Sequence, residues 1–295
     1  MKTALRFTAI VLVILLLSAI LAPILYRFLP FKFERIFNRL VMIFTLVAVA
    51  AFVRSRRDIG SILKSYGIVW EKNQSPRYLA VAFLTGVITL IFLTAFKVVI
   101  GDAAWNPAPL GVAGWTVQIL RFIVTGFLIG FIEEFFFRGF IYSAFTKGFR
   151  WNVAASVALT SLFYSLVHFV SHKKPFIGPE PTFVDSLRLV VAPLMSLANW
   201  HEFWPAAVGL FLFGLVLNDL VIRTGSLYPS IGLHAGCVFY LKIDGLFVDF
   251  LDKAPLFFTT KQLYDGAVGW VFLLAMGGVL RFFLKHNLVQ KGEEG

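Results

Sequence analysis

The chain has 295 residues, of which 59% are hydrophobic and 15% are charged, and its formal net charge is +11. A soluble domain carries about 25% charged residues, so this composition excludes an ordinary soluble fold and indicates a protein embedded in a membrane. The basic residues are scattered between apolar segments, which argues against nucleic-acid binding and favours contact with membrane lipid. The single cysteine, Cys237, excludes an intrachain disulfide and a cysteine-based metal cluster.

Apolar segments long enough to cross the hydrocarbon core, which takes about 20 residues, recur along the chain. They predict an all-α, polytopic transmembrane bundle of about eight spans, at roughly 7–28, 38–53, 78–100, 114–146, 152–171, 203–222, 226–242 and 267–284. The first segment lacks a clean small-x-small site before Pro23, so we expect an uncleaved span. The fourth segment is longer than the hydrocarbon and should project into water or kink near Gly139.

Loop charge predicts how the bundle is oriented. The 54–77 loop is basic and the 243–266 loop is acidic, which predicts that both termini lie on the cytoplasmic side of the cell membrane. The loop near residues 27–39 is also basic and disagrees with this orientation. The 172–202 stretch contains four prolines and predicts a loop with a short interfacial helix, with Trp200 and Trp204 as interface anchors.

Ionisable side chains within apolar segments are costly in a bilayer and indicate a functional site. Glu133, Glu134, His168 and His234 are such residues. On a helix Glu134 and Arg138 are i,i+4 neighbours, which predicts an ion pair, whereas Glu133 is rotated by about 100° and suits general-base chemistry. The alternative is that these three charged residues end the helix as a solvated ion cluster at the headgroups.

Helix rise places three of these groups at comparable depth. If the fourth and fifth spans form an antiparallel pair joined near 147–151, Glu133 lies about 20 Å and His168 about 24 Å from that turn. His234 lies about 12 Å into the seventh span from the same side, which is shallower. Because the fourth helix is expected to protrude, the three side chains can still converge in one buried cavity. The alternative for each histidine alone is a hydrogen-bonded residue of the core.

Three pieces of sequence carry a resemblance to a known family. They are Glu133-Glu134-x-x-x-Arg138-Gly139, then His168, and then the stretch from Gly225 to Gly236 that contains His234. Together they resemble the CPBP intramembrane peptidases, a family that includes the CAAX prenyl endopeptidases and bacteriocin-processing and immunity proteins. The resemblance covers roughly residues 110–242.

The resemblance implies a role for each residue. Glu133 and His168 would activate a water while His234 would stabilise the oxyanion, or the three would instead hold a divalent metal such as zinc. Glu134 and Arg138 would form a structural pair. The substrate would be a membrane-associated or prenylated-type peptide.

The resemblance also implies a division of the chain. Residues 1–109 would form N-terminal transmembrane helices and residues 110–242 the peptidase core. Residues 243–295 would supply a far-side loop, the last span and a tail.

Two positions depart from the family pattern. Tyr164 stands where Phe is usual, and Val238 stands four residues after His234, where Asn usually donates from its amide. Because Val cannot donate a hydrogen bond, either Asn218 supplies the donor, or activity is weak, or the chain is a non-catalytic homologue. The alternative for Asn218 is that it caps its helix near the interface.

Competing interpretations remain for the histidines and for the function. His172 lies four residues after His168 and could form a metal pair, but it borders the polar loop and is expected to be exposed. The primary hypothesis is an endopeptidase. The alternatives are a membrane scaffold or immunity-type homologue, consistent with Val238, and a proton-coupled transporter, which would usually show a repeat with paired broken helices that this sequence lacks.

Overall fold

The computed structural model describes residues 2–54, 59–170, 175–251 and 264–293, and nearly all of its elements are helical. The α-helices are α1 (Lys2–Tyr26), α2 (Phe33–Arg54), α3 (Ile59–Ser65), α4 (Ser75–Val99), α5 (Val112–Glu134), α6 (Val153–Val167), α7 (Phe183–Met195), α8 (Trp204–Thr224), α9 (Tyr228–Asp244) and α10 (Ala267–Glu293). The predicted all-α membrane bundle is confirmed.

The remaining elements are short. They are two π-helical stretches, Phe135–Ile141 and Ala144–Gly148, a 3-10 helix, Ser196–Glu202, and the strands β1 (Ala103–Trp105) and β2 (Val248–Phe250). The strands pair antiparallel, with Ala104 opposite Asp249. This two-stranded ribbon was not predicted from the sequence.

Four helical stretches of the described chain are long and apolar enough to cross a membrane, namely Ala9–Tyr26, Ser75–Val99, Val112–Gly148 and Trp204–Thr224. Two shorter apolar helices, Val153–Val167 and Ala267–Phe283, match the fifth and eighth predicted spans. The second and seventh predicted segments form α2 and α9. The total of about eight spans stays a prediction of the sequence.

The chain separates into two compact units, residues 1–62 with 166–202 and residues 63–165 with 203–295. In the first unit, α1 and α2 bury an apolar core that includes Ala22 and Phe37. Helix α7 joins this unit through Ser186, whose hydroxyl donates to the carbonyl oxygen of Ala19 at 3.1 Å.

Helix α7 is the helix expected within the 172–202 stretch. It begins after Thr182, whose backbone N–H and hydroxyl donate to the Asp185 carboxylate at 2.8 and 2.9 Å. These hydrogen bonds hold the pKa of Asp185 below its ordinary value. His172, residues 55–58 of the basic loop and residues 252–263 of the acidic loop lie outside the described residues.

Helix α9 lies at the centre of the second unit, between α4 and α5. Gly126 of α5 faces the carbonyl oxygen of Ala235, where a Cβ atom would approach to 2.6 Å. On the other side of α9, a Cβ on Gly236 would meet the carbonyl oxygen of Phe83 on α4. Backbones this close fix the depth of α9 against both neighbours, because small residues allow apolar helices to pack at short range.

The contacts also fix the helix directions. Leu79 and Phe83 of α4 meet Gly232 and Gly236 in the same order, so α4 and α9 are parallel. Helix α5 runs antiparallel to α9, so the end of α5 meets the start of α9. Beyond Glu134 the helix continues in π-helical geometry through Gly139, where the sequence predicted an irregularity. Such π-helical turns are frequent at functional sites.

Candidate active site

The buried charges gather where α5 ends and α9 begins. Glu133 and Glu134 are the last two residues of α5, and Arg138 lies in the π-helical stretch that follows. His234 lies in the second turn of α9. The glycine contacts between α5 and α9 bring these two helix ends to the same depth.

Glu134 makes two contacts through one carboxylate oxygen. Its Oε1 atom lies 3.0 Å from Nη1 of Arg138, and both side chains are fully buried. The same oxygen lies 2.8 Å from Nδ1 of His234. Glu134 is therefore the partner of a guanidinium and of an imidazole, whereas the sequence assigned it to Arg138 alone.

Glu133 faces the other nitrogen of the same imidazole. Its Oε2 atom lies 3.7 Å from Nε2 of His234, and its side chain is 28% exposed while that of His234 is 5% exposed. His234 thus lies between two carboxylates of different character. Glu134 is buried and paired with Arg138, whereas the Glu133 side chain is partly exposed.

Aromatic rings surround the imidazole and the guanidinium. The Tyr164 ring centroid lies 4.4 Å from Cζ of Arg138, a cation–π contact, and 6.2 Å from the His234 ring. Phe213 of α8 approaches His234 edge-on at 5.7 Å. The face of the Tyr164 ring therefore stabilises the buried cation.

Asn218 of α8 is buried close to Arg138. Its Nδ2 atom donates to Ser161 Oγ at 3.1 Å and to the carbonyl oxygen of Gly214 at 2.9 Å. Arg138 Nη2 donates to the same Gly214 carbonyl at 3.4 Å. Because α8 continues to Thr224, Asn218 lies inside the helix, and the interpretation of Asn218 as a helix cap is wrong.

His168 follows α6 directly and falls in the first unit, so its place beside Glu133 stays a prediction. Val238 lies one turn after His234 on α9 and is half-buried. Asn218 as a substitute for the family's amide donor also stays a prediction, although both of its amide hydrogens are already directed at Ser161 and Gly214.

The sequence allowed a metal held by Glu133, His168 and His234. In the part of the chain that the structure describes, no group of three or more His, Cys, Asp or Glu side chains is placed to hold a metal ion. The expectation of a zinc site at Glu133, His168 and His234 is therefore not supported.

Residues 115–240 match the family model described as Type II CAAX prenyl endopeptidase Rce1-like. The predicted family resemblance is confirmed over this segment. The CAAX-endopeptidase-like segment contains Glu133, His168 and His234, and it indicates a membrane-embedded protease. No curated protein and no solved structure matches the chain.

Proposed function

We propose that the chain is an intramembrane endopeptidase that hydrolyses a peptide bond in a membrane-associated or prenylated-type peptide. The observation that carries the proposal is the position of His234, with Nδ1 on Glu134 at 2.8 Å and Nε2 towards Glu133 at 3.7 Å. A base and a second polar group that face one space are what hydrolysis by activated water requires.

Glu133 serves as the general base in this mechanism. Its carboxylate takes one proton from a water molecule while the water oxygen forms a bond to the peptide carbonyl carbon. His168, if it reaches the same space, holds that water. Glu133 then gives the proton to the leaving nitrogen as the carbon–nitrogen bond breaks, so the base is regenerated.

His234 stabilises the negatively charged oxygen that forms when water adds to the carbonyl carbon. Because Nδ1–H is directed at Glu134, Nε2 is the nitrogen that faces the substrate, and it donates to the oxyanion when it carries a proton. Glu134 fixes the orientation of the ring. Arg138 and the Tyr164 face hold Glu134 in place, so these residues act on substrate only through His234.

The membrane setting supports this substrate class. The site lies at helix ends of apolar spans, and its partners are lipid and a peptide tethered at the membrane, without nucleic acid. We place the protein in the cell membrane, where the net charge of +11 suits an anionic cytoplasmic leaflet.

The test is cleavage of a membrane-tethered peptide by purified protein in lipid. Matched peptides with and without a prenyl group on the same cysteine separate prenyl recognition from general proteolysis. Glu133→Gln keeps shape and removes the base, so we expect cleavage to disappear. Cleavage that survives Glu133→Gln would show that the assigned roles are wrong.

A specific observation favours a second function. Val238 stands where the family usually has an amide donor, and Asn218 directs its amide at Ser161 and Gly214. A membrane scaffold or immunity-type homologue would keep the Glu134–Arg138 ion pair and would not cleave peptides. Absence of cleavage by both the natural chain and Val238→Asn would favour this alternative.

A further inference from the structure

One face of α6 carries a row of buried polar side chains. Ser156, Thr160 and Tyr164 are spaced four residues apart, so they share that face. Their exposed fractions are 0%, 0% and 1%. The row leads from the start of α6 to Tyr164, which contacts the ring of His234.

The two hydroxyls of this row differ from helical hydroxyls that bond to their own helix. Thr125 and Thr85 return their hydroxyls to the carbonyl oxygen four residues earlier, at 2.7 and 2.8 Å. Among the residues that the structure describes, neither Ser156 Oγ nor Thr160 Oγ1 has a hydrogen-bond partner. They therefore lack the bond to the preceding turn that Thr125 and Thr85 make.

Three more buried atoms near this row lack a protein partner within the described ranges. They are Oε2 of Glu134, Nε of Arg138 and Oδ1 of Asn218. These atoms come from α5, the π-helical stretch and α8, and they include donors and acceptors. Burying an unpaired polar group costs about 1–3 kcal/mol by mutational measurements, so such a set is stable only when water satisfies it.

We propose that Ser156, Thr160 and Tyr164 line a hydrated path that delivers water to the site of Glu133 and His234. From Ser156 to Tyr164 the helix rises about 12 Å. The path begins at the exposed start of α6, where Asn152 and Val153 face outward. This inference rests on the proposed hydrolysis, which consumes one water for each bond broken.

The exposed side of Glu133 explains why a separate path is needed. Glu133 is the carboxylate that a peptide can approach, so a bound peptide covers that side. Water that arrives along α6 reaches the site past Tyr164, which contacts the ring of His234. The polar row therefore allows water to be replaced while the peptide remains bound.

The test is X-ray radiolytic footprinting of the full chain in lipid nanodiscs, which labels side chains beside bound water. Rapid mixing with H₂¹⁸O before the pulse distinguishes exchangeable from trapped water. We expect Tyr164 to incorporate ¹⁸O despite its burial, while Phe37, a buried ring in an apolar core, stays unlabelled. An unlabelled Tyr164, or one that takes up only the original ¹⁶O, overturns the path.

Substitutions identify the route. Ser156→Ala with Thr160→Val should abolish the ¹⁸O label at Tyr164, and Thr125→Val, at a hydroxyl bonded to its own helix, should leave it unchanged. A label that survives the double substitution means that water arrives elsewhere and overturns the proposal. Thermal melting of the double variant checks that it is folded.

Footprinting needs no turnover, so it is independent of whether the chain cleaves peptides. If Glu133→Gln abolishes cleavage, the double variant should lower the cleavage rate with prenylated peptide bound. An ¹⁸O label without any cleavage by the natural chain would support the path and contradict the proposed function.

Discussion

The Nδ1 atom of His234 lies 2.8 Å from Oε1 of Glu134, at the junction of α9 and α5. This contact makes Glu134 the residue that orients the imidazole as well as the partner of Arg138. The two adjacent glutamates therefore have different tasks, since Glu133 faces Nε2 and is partly exposed.

The two glutamine substitutions should affect different properties. Glu133→Gln should affect cleavage, and Glu134→Gln should affect stability. Glu133→Gln should abolish cleavage and leave the melting temperature nearly unchanged, because its side chain is partly exposed. Glu134→Gln should lower the melting temperature, because Arg138 then lacks a buried counter-charge. Tryptophan-fluorescence melting in lipid or mild detergent, beside the peptide assay, measures both. Equal losses of stability would contradict the division of tasks.

The Glu134–Arg138 pair has a matched exposed counterpart in Asp219 and Arg223, also four residues apart, at 2.8 Å. Arg138→Ala strands a buried carboxylate and should cost about 3–5 kcal/mol in the free energy of unfolding. Arg223→Ala should cost about 1 kcal/mol or less, since the pair is solvent-screened and Arg281 still contacts Asp219 at 2.9 Å. Folded yield and chemical unfolding of both variants provide the measurement. Similar losses would mean that the Arg138 pair is not buried.

Local sequence rules predict part of the site. Hydropathy predicts the helices, and the i,i+4 spacing predicts contact between Glu134 and Arg138. Helix rise predicts matching depth only for Glu133 and His168, and it predicts a shallower position for His234 than for Glu133. In the structure these last two side chains lie 3.7 Å apart. Each of these inferences needs only the geometry of a single helix and an assumed direction.

The contact between Glu134 and His234 could not be predicted in this way. It depends on how α5 and α9 rotate about their axes, which is set by backbone contacts at Gly126 and Gly130. Hydropathy does not encode that rotation. The β1–β2 ribbon was missed for a related reason, since three-residue strands carry no periodic pattern and their pairing is distant in sequence.

The glycine contact at Gly236 should be essential for the packing of α9. Its Cβ in Gly236→Ala would meet the carbonyl oxygen of Phe83, so α4 and α9 must separate, at a cost of about 1–3 kcal/mol. Gly278→Ala is the control, because no described atom lies within 4 Å of its Cβ position. That substitution should stabilise α10 by about 0.5–1 kcal/mol. Thermal melting that does not distinguish the two variants would contradict the close packing.

The orientation can be tested with Lys72 and Asp249. Lys72 precedes α4, whose 25 residues extend about 37 Å. Asp249 lies in the ribbon that begins just after α4 ends, and both residues are exposed. Cysteines introduced at the two positions should react with an impermeant maleimide from opposite sides of the membrane, with the buried Cys237 as unreactive background. Labelling from one side only would refute the topology.

Val238 should limit turnover in the natural chain. An asparagine at this position would lie one helical turn after His234, on the same face of α9, and its amide could donate to the oxyanion. One such donor contributes about 10²–10³ in rate, so Val238→Asn should raise cleavage by up to that factor. Asn218 does not make the change redundant, because its amide hydrogens are directed at Ser161 and Gly214. Val238→Leu is the control and should give no gain, since it changes size without adding a donor. The measurement is the initial cleavage rate of the natural chain, Val238→Asn and Val238→Leu in the same lipid. Equal rates for Val238→Asn and Val238→Leu would show that position 238 does not face the oxyanion.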